Sequence, residues 1–143
     1  MTKIKVVGHN GVKDVVAKML CPYCGNRLML LPPDFPLYDI QCSACTFRAQ
    51  VKTNNGKPRN QIYGAGWDIM DKFIRSGNMI PPLLVNFAWR EGWAGRQKII
   101  FFPFVPKSCL KKYTRSPNNY RGEYAMFNYD GLERLPQVVV FER

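Results

Sequence analysis

Histidine is almost missing from this chain, acidic residues are scarce, and long apolar runs are absent. The single histidine, His9, lies between Gly8 and Asn10, where a surface turn is a simpler reading than a general base. It is far in sequence from Cys109, so this fifth cysteine has no neighbouring histidine and reads as a packed free thiol rather than a nucleophile. No apolar stretch is long enough to cross a bilayer, which sets a membrane-spanning protein aside. Ten acidic residues against 21 basic ones give a formal charge of +11, a field that calls for a polyanionic partner, most often nucleic acid. There is no internal repeat and no low-complexity segment. With 143 residues, 46% of them apolar and 13% aromatic, one core can be buried and a single domain over residues 1–143 is expected.

What the chain does have is cysteine in a pattern. Cys21 and Cys24, then Cys42 and Cys45, form two C-x2-C pairs separated by residues 25–41, the spacing of a zinc ribbon. Pro22, Tyr23 and Gly25 at the first pair, and Ser43 and Ala44 at the second, supply the turn-forming or small residues that a chelating knuckle needs. Two disulfides are the competing reading. No signal peptide precedes the pairs and lysines begin at residue 3, which points to a cytosolic context and to metal. Four thiolates close a tetrahedron, so a Zn2+ here would hold the fold, in an element over residues 20–46, rather than do chemistry. Its binding energy would largely be folding energy, and the four thiolates with their ion would leave a net charge of about +9.

Along the chain, Ile4, Val6 and Val7 form a short apolar entry, Gly8 to Gly11 reads as a break, and Val12, Val15, Val16 and Met19 recur at helical spacing up to the first knuckle. Residues 37–41 and 46–53 alternate in period two, with Phe47, Ala49 and Val51 on one face and Arg48, Gln50 and Lys52 on the other. That predicts an antiparallel hairpin turning through the second knuckle. Ile69, Met70, Phe73 and Ile74 make a helical stripe that Gly77 and Asn78 should stop. Residues 83–87, 99–102 and 138–141 read as strands, the first two of them buried. The order predicts a mixed sheet covered by helices.

Asp39, Gln50 and Lys52 form D-x10-Q-x-K across the two strands of the hairpin. A carboxylate and an amide carbonyl are hard oxygen ligands suited to Mg2+, and the carbonyl of Val51 would add a third. Such a cation would polarise a phosphodiester oxygen and activate a water, with Lys52 orienting that water or stabilising developing charge. A simple hairpin centred on Ser43 and Ala44 places Arg48 opposite Asp39 and makes Gln50 a diagonal neighbour, roughly 7–8 Å away between backbones. A bulge or bent strand would close that gap. On spacing alone the pattern is a weak signal, and an exposed polar strand face is the better account of it. Asp14 on the first helix is a candidate for one further acid.

The segment from Leu20 to Asn26, with Asp39-Ile40-Gln41-Cys42, Gln50-Val51-Lys52 and Gly64-Ala65-Gly66-Trp67, resembles the catalytic domain of the DpnI/Dam-replacing restriction endonucleases. In that family four zinc-binding cysteines are built into a PD-(D/E)xK nuclease fold and the catalytic Asp stands just before the third cysteine. The interleaving of knuckle and acid carries the likeness, which extends over most of the chain. It implies an α/β (α+β) fold, a restriction-endonuclease-like mixed sheet flanked by helices with an embedded four-cysteine zinc ribbon. It also implies a divalent-metal-dependent endonuclease of the type II restriction class acting on double-stranded DNA. Asp39, Gln50 and Lys52 would take the catalytic places, with Asp39, Gln50 and Val51 holding Mg2+ or Mn2+. Two departures stand out. Gln50 replaces the family's glutamate and removes one negative charge from the metal site, although Gln-x-Lys does occur in active nucleases of the superfamily. The family's enzymes also continue into a winged-helix domain that takes part in recognising methylated DNA, whereas this sequence ends at Arg143, so methylation dependence is not carried over.

Two loops are suited to DNA. Residues 53–61 offer Lys57, Arg59 and Asn60, and residues 111–121 offer Lys111, Lys112, Arg115 and Arg121 interleaved with aromatics and amides. Trp67, Trp89 and Trp93 are expected to be buried or partly buried. Besides the endonuclease, a non-catalytic zinc-ribbon module that binds nucleic acid fits the composition, as does, more remotely, a subunit docking an acidic protein. The recognition sequence and the choice between monomer and weak dimer are not written in the chain.

Overall fold

A computed structural model describes residues 3–115 and 124–143. Its elements are α1 (Lys3–Lys18), β1 (Leu28–Leu30), β2 (Ile40–Cys42), β3 (Arg48–Asn55), β4 (Ile62–Gly66), α2 (Trp67–Arg75), β5 (Leu83–Glu91), β6 (Ala94–Phe102), β7 (Leu110–Arg115), β8 (Tyr124–Tyr129) and β9 (Val138–Glu142). Short 3-10 turns at Lys107–Cys109 and Leu132–Arg134 precede β7 and follow β8. The fold class is mixed α+β, as expected. No helix among the described residues is long and apolar enough to cross a membrane.

The chain divides into two compact units. The first comprises Met1–Pro58, Pro81–Phe104 and Pro136–Arg143. Its six strands run in the order β1-β2-β3-β5-β6-β9. β3 and β5 are parallel, and the other neighbours antiparallel. α1 covers one face through Val15 and Met19, which bury with Ile40, Phe47, Ala49, Val51, Leu84, Ile99 and Phe101. The period-two alternation of β3 therefore places its apolar residues on the α1 side.

The expected break at Gly8 to Gly11 does not occur, because α1 runs through it and takes His9 into the helix. A helical glycine costs about 1 kcal/mol relative to alanine, but at Gly11 it permits a close approach. A Cβ there would stand 1.8 Å from Thr53 Oγ1 on β3. The glycine lets the helix backbone lie against the strand, and the Gly11 carbonyl accepts the Asn86 side-chain N–H at 3.3 Å.

The second unit is Arg59–Ile80 with Val105–Leu135. It holds an antiparallel sheet in the order β4-β8-β7 together with α2. Met70 from α2, Phe127, Tyr129 and Leu132 are buried in it. Gly64 is required here, since a Cβ would meet the Phe127 ring at 2.2 Å. α2 ends at Arg75 with Ser76 as its cap, followed by Gly77 at φ 88, in agreement with the expected stop. This second sheet was not anticipated. Ile62–Gly66 contains two glycines, and Leu110–Arg115 is rich in charge, so neither reads as a strand by local pattern.

Candidate functional site

The cysteine pairs meet as knuckles. Cys21 starts a turn in which its carbonyl accepts the Gly25 N–H at 3.0 Å, with Gly25 at φ 78. In the second knuckle the N–H groups of Ala44 and Cys45 donate to Cys42 Sγ at 3.3 and 3.4 Å. Cys21 and Cys45 sulfurs are 3.6 Å apart, Cys24 and Cys42 sulfurs 3.4 Å, and all four lie within 4.8 Å of one another. Zn–S bonds of about 2.3 Å at tetrahedral angles place sulfurs about 3.8 Å apart. A disulfide would need about 2.05 Å, so the set has the dimensions of a metal cage and could hold an ion such as zinc. Asn26, through its side-chain and then its backbone N–H, draws the Cys24 thiol down to about 6, toward the thiolate a metal needs.

The second knuckle also sets the register of the strands that leave it. Cys42 N–H bonds the Phe47 carbonyl at 2.8 Å, closing a four-residue loop rather than a two-residue turn on Ser43 and Ala44. Ile40 pairs with Ala49 and Gln41 with Arg48. Asp39 lies at the end of this pairing with its own N–H on the Ala49 carbonyl at 2.9 Å, so it stands beside Ala49 together with Ile40 and not opposite Arg48 as the simple hairpin predicted. Arg48 instead donates to the Gln41 side chain at 3.0 Å.

Asp39 is delivered by an unusual turn. Leu37 has φ 63, and the Tyr38 N–H bonds the Pro36 carbonyl across it at 2.8 Å, the pattern of a γ-turn with its central residue in the positive-φ region. β2 begins only at Ile40, so no β2 backbone stands across from Val51. The Asp39 carboxylate takes that place, and Oδ2 accepts the Val51 N–H at 2.7 Å. In an extended strand the N–H and C=O of one residue point to the same side. The Val51 carbonyl is thus directed toward the side that Asp39 occupies.

Gln50 is buried, at 6% exposure, on the face away from α1, and Lys52 follows two residues on along that face. Burial pushes the Asp39 carboxyl up, only partly offset by the Val51 N–H and the Lys52 charge. Burial likewise pulls the Lys52 ammonium below its ordinary range, with Asp39 opposing. Each charge is incompletely solvated and incompletely paired, which is common where a further ligand is to be bound.

Asp14 is elsewhere. It pairs with Lys18 at 3.0 Å and accepts from the Gln97 and Asn86 side chains. Gln97 also donates to Asn86 Oδ1 at 2.8 Å. This network lies on the α1 face, opposite Gln50 and Lys52, so Asp14 is not part of the same cluster.

The basic residues separate. Lys57 and Arg59 are exposed beside the short turn after β3, which itself extends through Asn55. Asn60 has a structural task, its side-chain oxygen accepting the Glu133 N–H at 2.9 Å. Lys111 and Lys112 belong to strand β7 rather than to a loop, and as successive strand residues they point to opposite faces. Lys112 lies over the Trp67 ring, 5.9 Å from its centre. Arg115 ends β7, and Arg121 lies outside the described residues. Cys109 is buried, as expected, and burial pushes its thiol up. Trp67 and Trp89 are partly buried, but Trp93 is 97% exposed. Its signal was available in Gly92-Trp93, a glycine-first pair of the kind that closes a two-residue hairpin.

A family model described as DpnI, Dam-replacing family, matches residues 2–141. No match is found among curated proteins.

Proposed function

The chain belongs to the DpnI, Dam-replacing family, and from that premise we propose that it is a restriction-type endonuclease that hydrolyses double-stranded DNA with a divalent cation. In this reading residues 1–143 act as one nuclease domain in a prokaryotic cytoplasm, as a monomer or weak dimer. Cys21, Cys24, Cys42 and Cys45 hold a structural Zn2+. Asp39, Gln50 and the Val51 carbonyl would hold Mg2+ or Mn2+, an oxygen set that suits a hard cation. The observation that carries the reading is the Val51 N–H bond to Asp39 Oδ2, because it ties the acid to the backbone between Gln50 and Lys52.

When bound, the cation would supply Lewis-acid polarisation of the phosphodiester and lower the pKa of a coordinated water. The chain's own residues do the remaining work. The bond to Val51 fixes the carboxylate of Asp39, and the buried Gln50 contributes its amide oxygen from a sheet rather than a loop. Lys52, already depleted of solvent, meets the negative charge that grows on the phosphate as the bond is attacked. Lys57 and Arg59 provide exposed cations for the flanking phosphates, with Lys111, Lys112, Arg115 and Arg121 as further contacts.

The test is incubation of methylated and unmethylated plasmid with the zinc-loaded protein in Mg2+ and in Mn2+, beside Asp39→Ala and Lys52→Ala. Discrete nicked or linear products from the parent and none from the variants are expected, with zinc content unchanged. A difference between the two plasmids would extend methylation dependence to this chain. Gln50 favours one second reading, since with an amide in place of a carboxylate the cluster has a single formal negative charge. DNA binding without cleavage by the zinc-loaded protein would establish that non-catalytic module and end the nuclease reading.

A further inference from the structure

Strand β5 outruns its neighbour β3. β3 pairs with β5 as far as Asn55 opposite Ala88, then turns away with Gly56 N–H on the Ala88 carbonyl at 2.8 Å. Across the sheet Ala88 pairs with Gln97, which exchanges two bonds with Arg143. Beyond this level, among the described residues, β5 and β6 pair with each other, Trp89 with Arg96, Arg90 with Gly95 and Glu91 with Ala94, and close through Gly92 and Trp93. Exposure changes at the same level, with residues 90–96 all exposed where Gln97 and Ile99 are buried. Gly92 has φ 59 and Trp93 is not in the positive-φ region, the pattern of a type II′ turn with glycine first. The result is a two-stranded arm extending about 15 Å past the point where β3 turns away, at roughly 3.4 Å per residue.

The arm carries a particular set of side chains. Trp93, at its tip, is 97% exposed. Residues paired in register share a face, and Lys52 is paired with Val85. Counting by twos along β5, Trp89 and its partner Arg96 lie on the face that bears Gln50 and Lys52, while Arg90 is on the other. Glu91 holds this face in order, accepting from Trp89 Nε1 at 3.4 Å and facing Arg96 Nε at 3.7 Å. That ion pair is exposed and of little strength, so Arg96 can leave it for a stronger anion.

We propose that this arm, residues 89–96, is a DNA-contacting ribbon, with Arg96 and Arg90 on phosphates and Trp93 packed against bases at its tip. The inference rests on the DNA reading above and adds the element that grips the duplex. A two-stranded ribbon fits the major groove, about 12 Å wide. The +11 charge of the chain fits the polyanion, and an exposed tryptophan at the tip can make apolar contact with base edges in the groove, such as the thymine methyl. From the level of Val85 to the tip is about 26 Å of strand, so the arm would reach roughly eight base pairs from the cleaved phosphate at about 3.4 Å per pair.

The experiment uses the zinc-loaded chain carrying Lys52→Ala, so that DNA is bound without being cut. Binding to a duplex is followed by anisotropy over a salt series, and contacts by hydroxyl-radical footprinting. Adding Trp93→Ala is expected to weaken binding about tenfold and to erase protection at the far end of the footprint, while Trp93→Tyr retains both. Adding Arg90→Ala with Arg96→Ala is expected to reduce the salt slope by about two. Zinc content and Tm should not move, since residues 90–96 are exposed. Affinity, slope and footprint equal to those of the Lys52→Ala parent would overturn the arm's role and leave the nuclease reading standing. A parent that binds no DNA at low salt would overturn both.

Discussion

An aspartate and a lysine lie at each face of the six-stranded sheet, Asp14 and Lys18 on the helix that covers one and Asp39 beside Lys52 of β3 at the other, and the two aspartates are in opposite states. On the α1 face, burial raises the Asp14 carboxyl, but hydrogen bonds from Lys18, Gln97 and Asn86 outweigh it and hold the group below its ordinary value. On the other face, burial dominates at Asp39 and at Lys52, lifting one and depressing the other. The first pair is complete within the protein; at the second, burial is only partly offset by the Val51 N–H and by the attraction between the two charges. Proximity of Asp to Lys therefore does not mark the functional site. What separates the two is whether the neighbouring strands also provide amides to finish the network, as Asn86 and Gln97 do for Asp14.

The largest effect expected on this contrast comes from neither aspartate but from the cysteines that set the register of β2 on β3. Structural zinc sites in small domains contribute on the order of 10 kcal/mol or more. Stripping the metal with a strong chelator should abolish the cooperative thermal transition of the first unit, followed by circular dichroism. A folded, cleavage-competent apo-protein would show that the knuckles are not what holds Asp39 in place. Next come Asp39→Ala and Lys52→Ala, each expected to lower plasmid cleavage by at least about a hundredfold, the scale of a lost electrostatic or proton-transfer contribution. Asp14→Ala should leave the rate per folded molecule unchanged. Equal losses from Asp14→Ala and Asp39→Ala would erase the distinction between the faces.

Smaller effects test the network directly. Gln97→Ala strands Asn86 Oδ1 and removes one of the three partners of the Asp14 carboxylate, and should cost about 1–3 kcal/mol, read as a Tm lower by several degrees with cleavage retained. The finest test is one of sign. A carboxyl whose folded pKa is depressed stabilises the fold above its unfolded pKa, and that stability is lost as pH falls through the folded value. Asp14→Asn should therefore lower Tm at pH 7, with the gap closing in acid. A carboxyl whose folded pKa is raised does the reverse, because above its unfolded pKa the fold has to keep a charge it disfavours. Asp39→Asn in the zinc-loaded protein without added Mg2+ should accordingly raise Tm at pH 7, by an amount that vanishes once both states are protonated. Shifts of the same sign from the two variants, measured by scanning calorimetry at pH 7, would overturn the assignment.

Much of this site could be read from the chain. The C-x2-C pairs place four thiolates by local turn chemistry, and the alternation over Phe47 to Lys52 assigns apolar and polar faces without reference to the rest of the fold. The register could not be read, since a turn on Ser43-Ala44 and a loop from Ser43 to Thr46 both satisfy the pattern. Only the Cys42 to Phe47 bond distinguishes them. The Gly8 to Gly11 segment misled for a related reason. Local propensity penalises glycine in a helix, while the approach of α1 to Thr53 rewards it. The second sheet escaped notice because Tyr63 and Lys111 to Tyr113 form strands through pairing with β8, with little apolar alternation of their own.

By itself the sequence determined the metal cage, the apolar face of β3, the excess of positive charge and the residue types available to a hydrolytic centre, all of which depend on neighbours within a few positions. The tertiary structure decided at which acid burial dominates, that the Asp39 carboxylate takes the place of a strand beside Val51, and that Trp93 stands at the tip of an exposed arm. These depend on where β2 begins, where β3 turns away and how far β5 runs. Strand lengths and registers are fixed by hydrogen bonds between segments far apart in the chain, and no local pattern encodes where such a ladder stops.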